Sequence, residues 1–153
     1  MVIDASAIVA VLAGEPMSDA VRAALEDSPG PFAVLPLTVF EAALGLARAS
    51  RARSREPARD TIDTALESVD KLLESLQAEE VPVSLALARA AIAAAARFGR
   101  AVNHPAGLNF GDCFSYALAT ARNDALLFIG DDFVKTDVRS VLPDPRPRRR
   151  APS

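Results

Sequence analysis

The chain has 153 residues, a length typical of a single domain with a substantial hydrophobic core. Its composition is 50% hydrophobic and 24% charged with a formal net charge of −3 at pH 7, which indicates a globular protein and argues against non-specific nucleic-acid binding. It has a single cysteine, Cys113, and a single histidine, His104, which excludes an internal disulfide and multi-cysteine or multi-histidine metal sites.

Hydropathy and the N-terminal residues favour a cytoplasmic protein. No apolar run approaches the roughly 20 residues that a membrane-spanning helix needs. The N-terminal segment Met1–Asp4 lacks the basic region that precedes the apolar part of a signal peptide. We therefore expect no membrane association.

Positive charge is concentrated in two segments in spite of the acidic total. Five arginines fall within residues 48–59 and four within residues 146–150. Such clustering is compatible with a basic rim around an acidic pocket. The arginines are Arg48, Arg51, Arg53, Arg55, Arg59, Arg146, Arg148, Arg149 and Arg150.

The hydrophobic pattern predicts short buried strands that alternate with helices along the chain. Strands are expected at residues 1–4, 32–35, 81–83 and 126–129, and helices at 4–12, 18–26, 38–52, 56–77, 84–98 and 109–122. This alternation predicts an α/β protein with a parallel sheet covered by helices on both faces. We expect one domain over residues 1–142 and a flexible proline- and arginine-rich tail over residues 143–153.

Two acidic residues near the N-terminus have both a structural and a functional interpretation. Asp4 follows the first strand, where it could cap the next helix or face a ligand at the carboxyl edge of the sheet. Glu41 follows Thr38 by three residues, the spacing of a capping box, yet it lies at the edge of an apolar helical stripe.

The same ambiguity applies to the acidic residues in the second half of the chain. Asp112 lies in the first turn of a helix that begins at Asn109, which is favourable for the helix dipole. That helix is nearly all apolar, so its N-terminal end is expected to face an interior cleft. Asp131 and Asp132 follow the last strand and could be turn residues.

If these carboxylates converge, the site requires a cation. Two carboxylates about 4 Å apart repel by roughly 4 kcal/mol at an effective dielectric constant near 20. Oxygen ligands without usable histidine or cysteine favour a hard cation, Mg²⁺ or Mn²⁺, and such ions promote phosphoryl hydrolysis. Four independent helix caps and turns remain the alternative explanation.

Three parts of the sequence together resemble the PIN domain, and within it the VapC toxins of type II toxin–antitoxin pairs. They are Val2-Ile3-Asp4-Ala5-Ser6-Ala7, Glu41 in the second major helix, and the block from His104 to Asp137. The resemblance spans about residues 1–142. It implies a PIN-like fold with a central parallel sheet of about four to five strands and helices on both faces.

The resemblance also implies an activity and a set of site residues. The activity would be Mg²⁺- or Mn²⁺-dependent endoribonuclease cleavage, with Asp4 and Asp112 as the most direct metal ligands. Glu41 and one of Asp131 and Asp132 would hold the attacking water; the resemblance favours Asp132, whereas the strand end favours Asp131. Residues expected to contact substrate or support the site are Ser6, Asp137 and Arg48, with Arg51 also plausible.

The resemblance implies partners as well. These are a VapB-type antitoxin, an RNA substrate (tRNA, rRNA or mRNA), and a second copy in a homodimer, with tetramers or larger assemblies formed with the antitoxin. His104 and Cys113 are expected to have structural roles. The competing interpretation is a non-catalytic PIN-like module that binds RNA or protein, which the presence of all the acidic positions disfavours.

Overall fold

The computed structural model describes residues 1–52 and 58–143, and it describes side chains from residue 61 onward in the second range. In chain order the strands and helices are β1 (Val2–Ile3), α1 (Ala5–Ala13), α2 (Ser18–Glu26), β2 (Ala33–Val34), α3 (Pro36–Arg51), α4 (Ala58–Ser75), β3 (Glu79–Glu80), α5 (Leu85–Phe98), α6 (Phe110–Ala121) and β4 (Leu126–Leu127). Two short 3-10 helices lie at Arg100–Val102, between α5 and α6, and at Phe133–Lys135, after β4. In the described part of the chain, no helix has the length and apolar character to cross a membrane.

The strands form one parallel sheet in the order β3-β2-β1-β4. Val2 lies opposite Ala33 on one side and Leu126 on the other. The carboxyl ends of the strands therefore meet at the same edge, with β1 in the middle. The predicted parallel α/β sheet is confirmed, and its four strands agree with the expected number.

Both faces of the sheet are buried, because alternate strand residues contribute to two separate hydrophobic cores. Val2 and Leu126 pack with α5 and α6. Their chain neighbours Ile3 and Leu127 pack with α1, α2, α3 and α4 on the opposite face. These four side chains are at most 1% exposed. The prediction of helices on both faces is confirmed.

The third strand lies two residues earlier than predicted. Glu79 donates its backbone N–H to the carbonyl of Phe32, and Val81 donates to Val34. Pro82 has no N–H and cannot extend this ladder. Because β3 is an edge strand, exposed glutamates are tolerated there. The prediction of a strand over residues 81–83 was wrong for this reason.

Helix α3 begins earlier than predicted, so the capping box proposed for Thr38 and Glu41 is absent. The N-cap is Leu35, and Pro36 occupies the first helical turn, where its fixed φ suits a helix and its missing N–H costs nothing. Thr38 lies inside the first turn and donates its backbone N–H to Leu35. The position of Glu41 is therefore not explained by capping.

Other local predictions are confirmed by the hydrogen bonds at the helix ends. Ser84, where the predicted helix over residues 84–98 begins, caps α5 by accepting from the N–H of Leu87. Helix α4 agrees with the predicted helix to within two residues at each end. Arg53 and Arg55, and the tail residues 144–153 with their four arginines, lie outside the described residues.

Candidate active site

An acidic cavity of about 370 Å³ opens at the carboxyl edge of the sheet. Six of its ten lining residues carry carboxyl or amide groups, and they come from α3, from α6 and its N-cap, and from the segments that follow β1, α1 and β4. The lining residues are Asp4, Ala5, Ser6, Val9, Glu15, Glu41, Asn109, Asp112, Ile129 and Asp132.

Asp4 is the most firmly held carboxylate of this cavity. It follows β1 and caps α1 by accepting from the backbone N–H of Ser6 at 3.0 Å. The Ser6 hydroxyl donates to the same oxygen at 2.6 Å, and the Ser115 hydroxyl donates to the other oxygen at 2.8 Å. Asp4 is only 5% exposed. The capping and functional interpretations are thus compatible, because one carboxylate serves the helix while facing the cavity.

The two serines that hold Asp4 connect it to the rest of the site. The Ser6 hydroxyl also accepts from the N–H of Ile129, just after β4. Ser115 lies one turn after Asp112 on the same side of α6 and is 2% exposed. Ser6 was among the site residues expected from the sequence, whereas Ser115 was not. The three-residue spacing from Asp112 was the available signal.

Asp112 is held at the N-terminal end of α6 by a reciprocal capping box. Its side chain accepts from the N–H of Asn109 at 2.8 Å, and the Asn109 side chain accepts from the N–H of Asp112 at 3.0 Å. Burial raises the pKa of Asp112 to about 6; the Asn109 hydrogen bond opposes this shift, and the charges of Asp4 and Asp132 add to it. The raised pKa therefore reflects mainly the burial of this carboxyl group, with smaller contributions from two neighbouring acids.

Glu41 approaches the same cavity from α3. It is half-buried, and burial is the main cause of its raised pKa, followed by the negative charges of Asp4 and Asp112. Three acids from separate elements therefore interact electrostatically, as expected from the sequence.

The structure places the two acids after β4 in different surroundings. Asp132 lines the acidic cavity. Asp131 lines a separate cavity of about 320 Å³ together with Phe133, Thr136 and other residues of the C-terminal segment. Glu15 also lines the acidic cavity. Glu15 was not among the site residues expected from the sequence.

The remaining predicted site residues lie outside the lining of this cavity. Asp137 accepts hydrogen bonds from the Tyr116 hydroxyl and from Arg97, the latter at 2.8 Å, which links the C-terminal segment to α5 and α6. Arg48 is exposed in the last turn of α3, seven residues after Glu41. It therefore lies on the same side of that helix as Glu41, roughly 10 Å further along it.

Histidine and cysteine have the structural surroundings that the sequence favoured. His104 accepts from the N–H of Ala106 and packs edge-on against Phe98. Cys113 is buried and lies beside the apolar cavity between α5 and α6.

The donor groups of the acidic cavity fit a hard divalent cation better than any softer metal, because they are carboxylate and amide oxygens. Within residues 1–52 and 58–143, no three acidic, histidine or cysteine side chains lie close enough together to hold a metal ion as they are placed. The fit therefore rests on the accumulated negative charge and on the oxygen donors, which a divalent cation would neutralise.

Comparison with known proteins agrees with this architecture. A VapC ribonuclease of Rhizobium meliloti is 38% identical over 138 residues, covering 89% of this chain and 97% of that protein. Ribonuclease VapC42 of Mycobacterium tuberculosis is 37% identical over 139 residues, covering 91% and 97%. Ribonuclease VapC of Mycolicibacterium smegmatis is 38% identical over 143 residues, covering 92% and 99%. The PIN domain family model matches residues 1–139, and the chain belongs to the PIN domain family.

Proposed function

We propose that this protein is a Mg²⁺- or Mn²⁺-dependent endoribonuclease and the toxin of a VapBC-type toxin–antitoxin pair. The observation that carries the proposal is the acidic cavity, where carboxyl groups from separate elements line one space at the carboxyl edge of the sheet. The similarity to VapC ribonucleases over most of their length supports RNA as the substrate.

In the proposed mechanism the acidic residues divide into two pairs. Asp4, held by Ser6 and Ser115, and Asp112, held by Asn109, would hold the cation. When bound, that cation supplies Lewis-acid stabilisation of the phosphoryl oxygens and lowers the pKa of water. Glu41 and Asp132, which also line the cavity, would orient the attacking water. The product would carry a 5′-phosphate.

Substrate phosphates and protein partners would contact the surface around the cavity. Arg48 is exposed on the same side of α3 as Glu41, which suits contact with an RNA phosphate. Phe40, also on α3, is 64% exposed and offers an apolar contact for a VapB-type antitoxin segment. We further propose a homodimer that forms larger assemblies with the antitoxin.

The direct test is cleavage of a mixed tRNA, rRNA and mRNA preparation by the purified full chain. We expect cleavage with Mg²⁺ or Mn²⁺ and none with excess chelator. RNA binding without cleavage under all metal conditions would instead favour a non-catalytic PIN-like module.

The variant Ser115→Ala tests whether the hydrogen bond to Asp4 supports activity. Ser115 is buried and donates to Asp4 at 2.8 Å. Its loss removes the hydrogen bond to one carboxylate oxygen of Asp4 and leaves only the other oxygen held by Ser6, so we expect RNA cleavage to fall roughly 10- to 100-fold. The free energy of unfolding should fall by about 1 kcal/mol. Equal cleavage by Ser115→Ala and native protein, measured on the same RNA, would contradict this role.

The paired variants Asp131→Asn and Asp132→Asn decide which is the fourth acid. Asp132 lines the acidic cavity and Asp131 lines the neighbouring one. We expect Asp132→Asn to reduce cleavage by roughly 100-fold, the size of losing one positioned electrostatic group. Asp131→Asn, its matched control, should retain nearly full activity. The reverse ranking would assign the role to Asp131.

A further inference from the structure

Gly111 is an unusual choice of residue for its position. Two of the seven glycines lie inside helices, Gly45 in α3 and Gly111 in α6. The backbone at Gly111 is helical, a conformation that requires no glycine, and glycine has low helix propensity. Backbone conformation therefore does not explain why a glycine occupies the first turn of α6.

The reason lies in the space next to its α-carbon. A Cβ atom built on Gly111 would overlap both carboxylate oxygens of Glu41. Gly111 is buried, so the Glu41 carboxylate lies directly against the backbone of α6. For Gly45, by contrast, the added Cβ would approach a methyl carbon of Val9, at 2.9 Å.

This contact places Glu41 beside Asp112, the next residue along α6. Contact with the first turn of α6 also places the carboxylate at the positive end of that helix dipole, which favours negative charge. The Cβ of an alanine at position 111 would push the flexible end of Glu41 away, at little cost to the fold.

We propose that Gly111 is a positioning residue, which admits the Glu41 carboxylate to the acidic cavity by leaving the space of a side chain empty. The proposal rests on the proposed function insofar as Glu41 contributes to the metal-dependent site. The steric part, that a side chain at position 111 would displace the Glu41 carboxylate, does not depend on that function.

The experiment is a double-mutant cycle in the full chain with Gly111→Ala, Glu41→Ala and the double variant, and with Gly45→Ala as the matched helix-glycine control. Mn²⁺ affinity is measured by titration calorimetry, and the thermal midpoint is measured in chelator. RNA cleavage is measured in parallel.

We expect Gly111→Ala to lower Mn²⁺ affinity and cleavage roughly 10- to 100-fold, as for other residues that orient a metal site. The same substitution should have no further effect in the Glu41→Ala background, because the space is then vacant. In chelator, the change in thermal midpoint caused by Gly111→Ala should differ by roughly 2 to 4 °C between the native chain and the Glu41→Ala variant. Gly45→Ala should not reproduce the loss of Mn²⁺ affinity.

Unchanged Mn²⁺ affinity in Gly111→Ala, or an equal loss in both backgrounds, would overturn the proposal. If the native protein neither binds Mn²⁺ nor cleaves RNA, the proposed function fails, and the midpoints in chelator then decide the steric inference by themselves. Additive midpoint changes would refute it, and non-additive ones would support it.

Discussion

Replacing Asp4 with asparagine is expected to abolish metal-dependent RNA cleavage while leaving the protein folded. The negative charge of Asp4 lies at the end of the central strand β1, fixed by hydrogen bonds from Ser6 and Ser115. Asparagine removes that charge and one of the two acceptor oxygens. We expect cleavage to fall by about a thousandfold or more, at least the loss caused by removing one preorganised electrostatic contact.

The fold should survive Asp4→Asn because asparagine is an equally good N-cap. Its amide oxygen can accept from the N–H of Ser6, and its NH₂ group can donate to the Ser115 hydroxyl. A matched control is Asp27→Asn, which makes the same chemical change at the exposed C-cap of α2. Cleavage by Asp4→Asn at the rate of this control, with circular dichroism unchanged, would refute the catalytic assignment.

Replacing Asp112 with asparagine is expected to stabilise the protein in chelator at neutral pH. Burial raises the pKa of Asp112 to about 6 from the ordinary 3.8. The charged form is therefore disfavoured in the folded state, by about 2 kcal/mol after allowance for solvent in the cavity. Asparagine avoids this cost but makes a weaker bond to the N–H of Asn109. We expect a net gain of about 1 kcal/mol, or roughly 3 °C in the thermal midpoint.

The pH dependence gives this prediction a definite sign. Because the folded chain binds the Asp112 proton more tightly than the unfolded chain, the free energy of unfolding falls as pH rises from about 4 to about 6. The Asp112→Asn variant lacks this titration. The excess in free energy of unfolding of Asp112→Asn over the native protein should therefore be absent below about pH 4. It should grow as the pH rises from about 4 to about 6 and stay constant above that.

Divalent metal should reverse the ranking of native protein and Asp112→Asn. A ligand at 100 times its dissociation constant stabilises the folded state by about 2.7 kcal/mol. Mn²⁺ should thus raise the midpoint of the native protein by several degrees and that of the variant much less. An equal response of both proteins to Mn²⁺, with Asp112→Asn less stable in chelator, would mean that Asp112 acts only as a helix cap.

Helix ends that depend on neighbouring residues were predictable from sequence alone. The caps at Ser84, Asn109 and Asp4 each involve a side chain and a backbone N–H two or three residues away. Such contacts depend on local spacing and survive in any compatible fold. The Thr38 prediction failed because Pro36 offered an alternative helix start within the same few residues.

Which residues form the site could be determined only from the tertiary structure. Asp131 and Asp132 are adjacent in a turn, yet they line different cavities. Ser115 reaches Asp4 across 111 residues of chain, and the space left by Gly111 has meaning only because α3 brings Glu41 against α6.

The amino-acid sequence by itself thus determined the parallel α/β architecture, the local helix caps and the acidic residue types, since these follow from hydrophobic period and short-range hydrogen bonding. Only the tertiary structure decided which of the acidic residues share one cavity. The physical reason is that packing of α3 and α6 beside the end of β1 sets burial and charge separation, and neither quantity is encoded in local spacing.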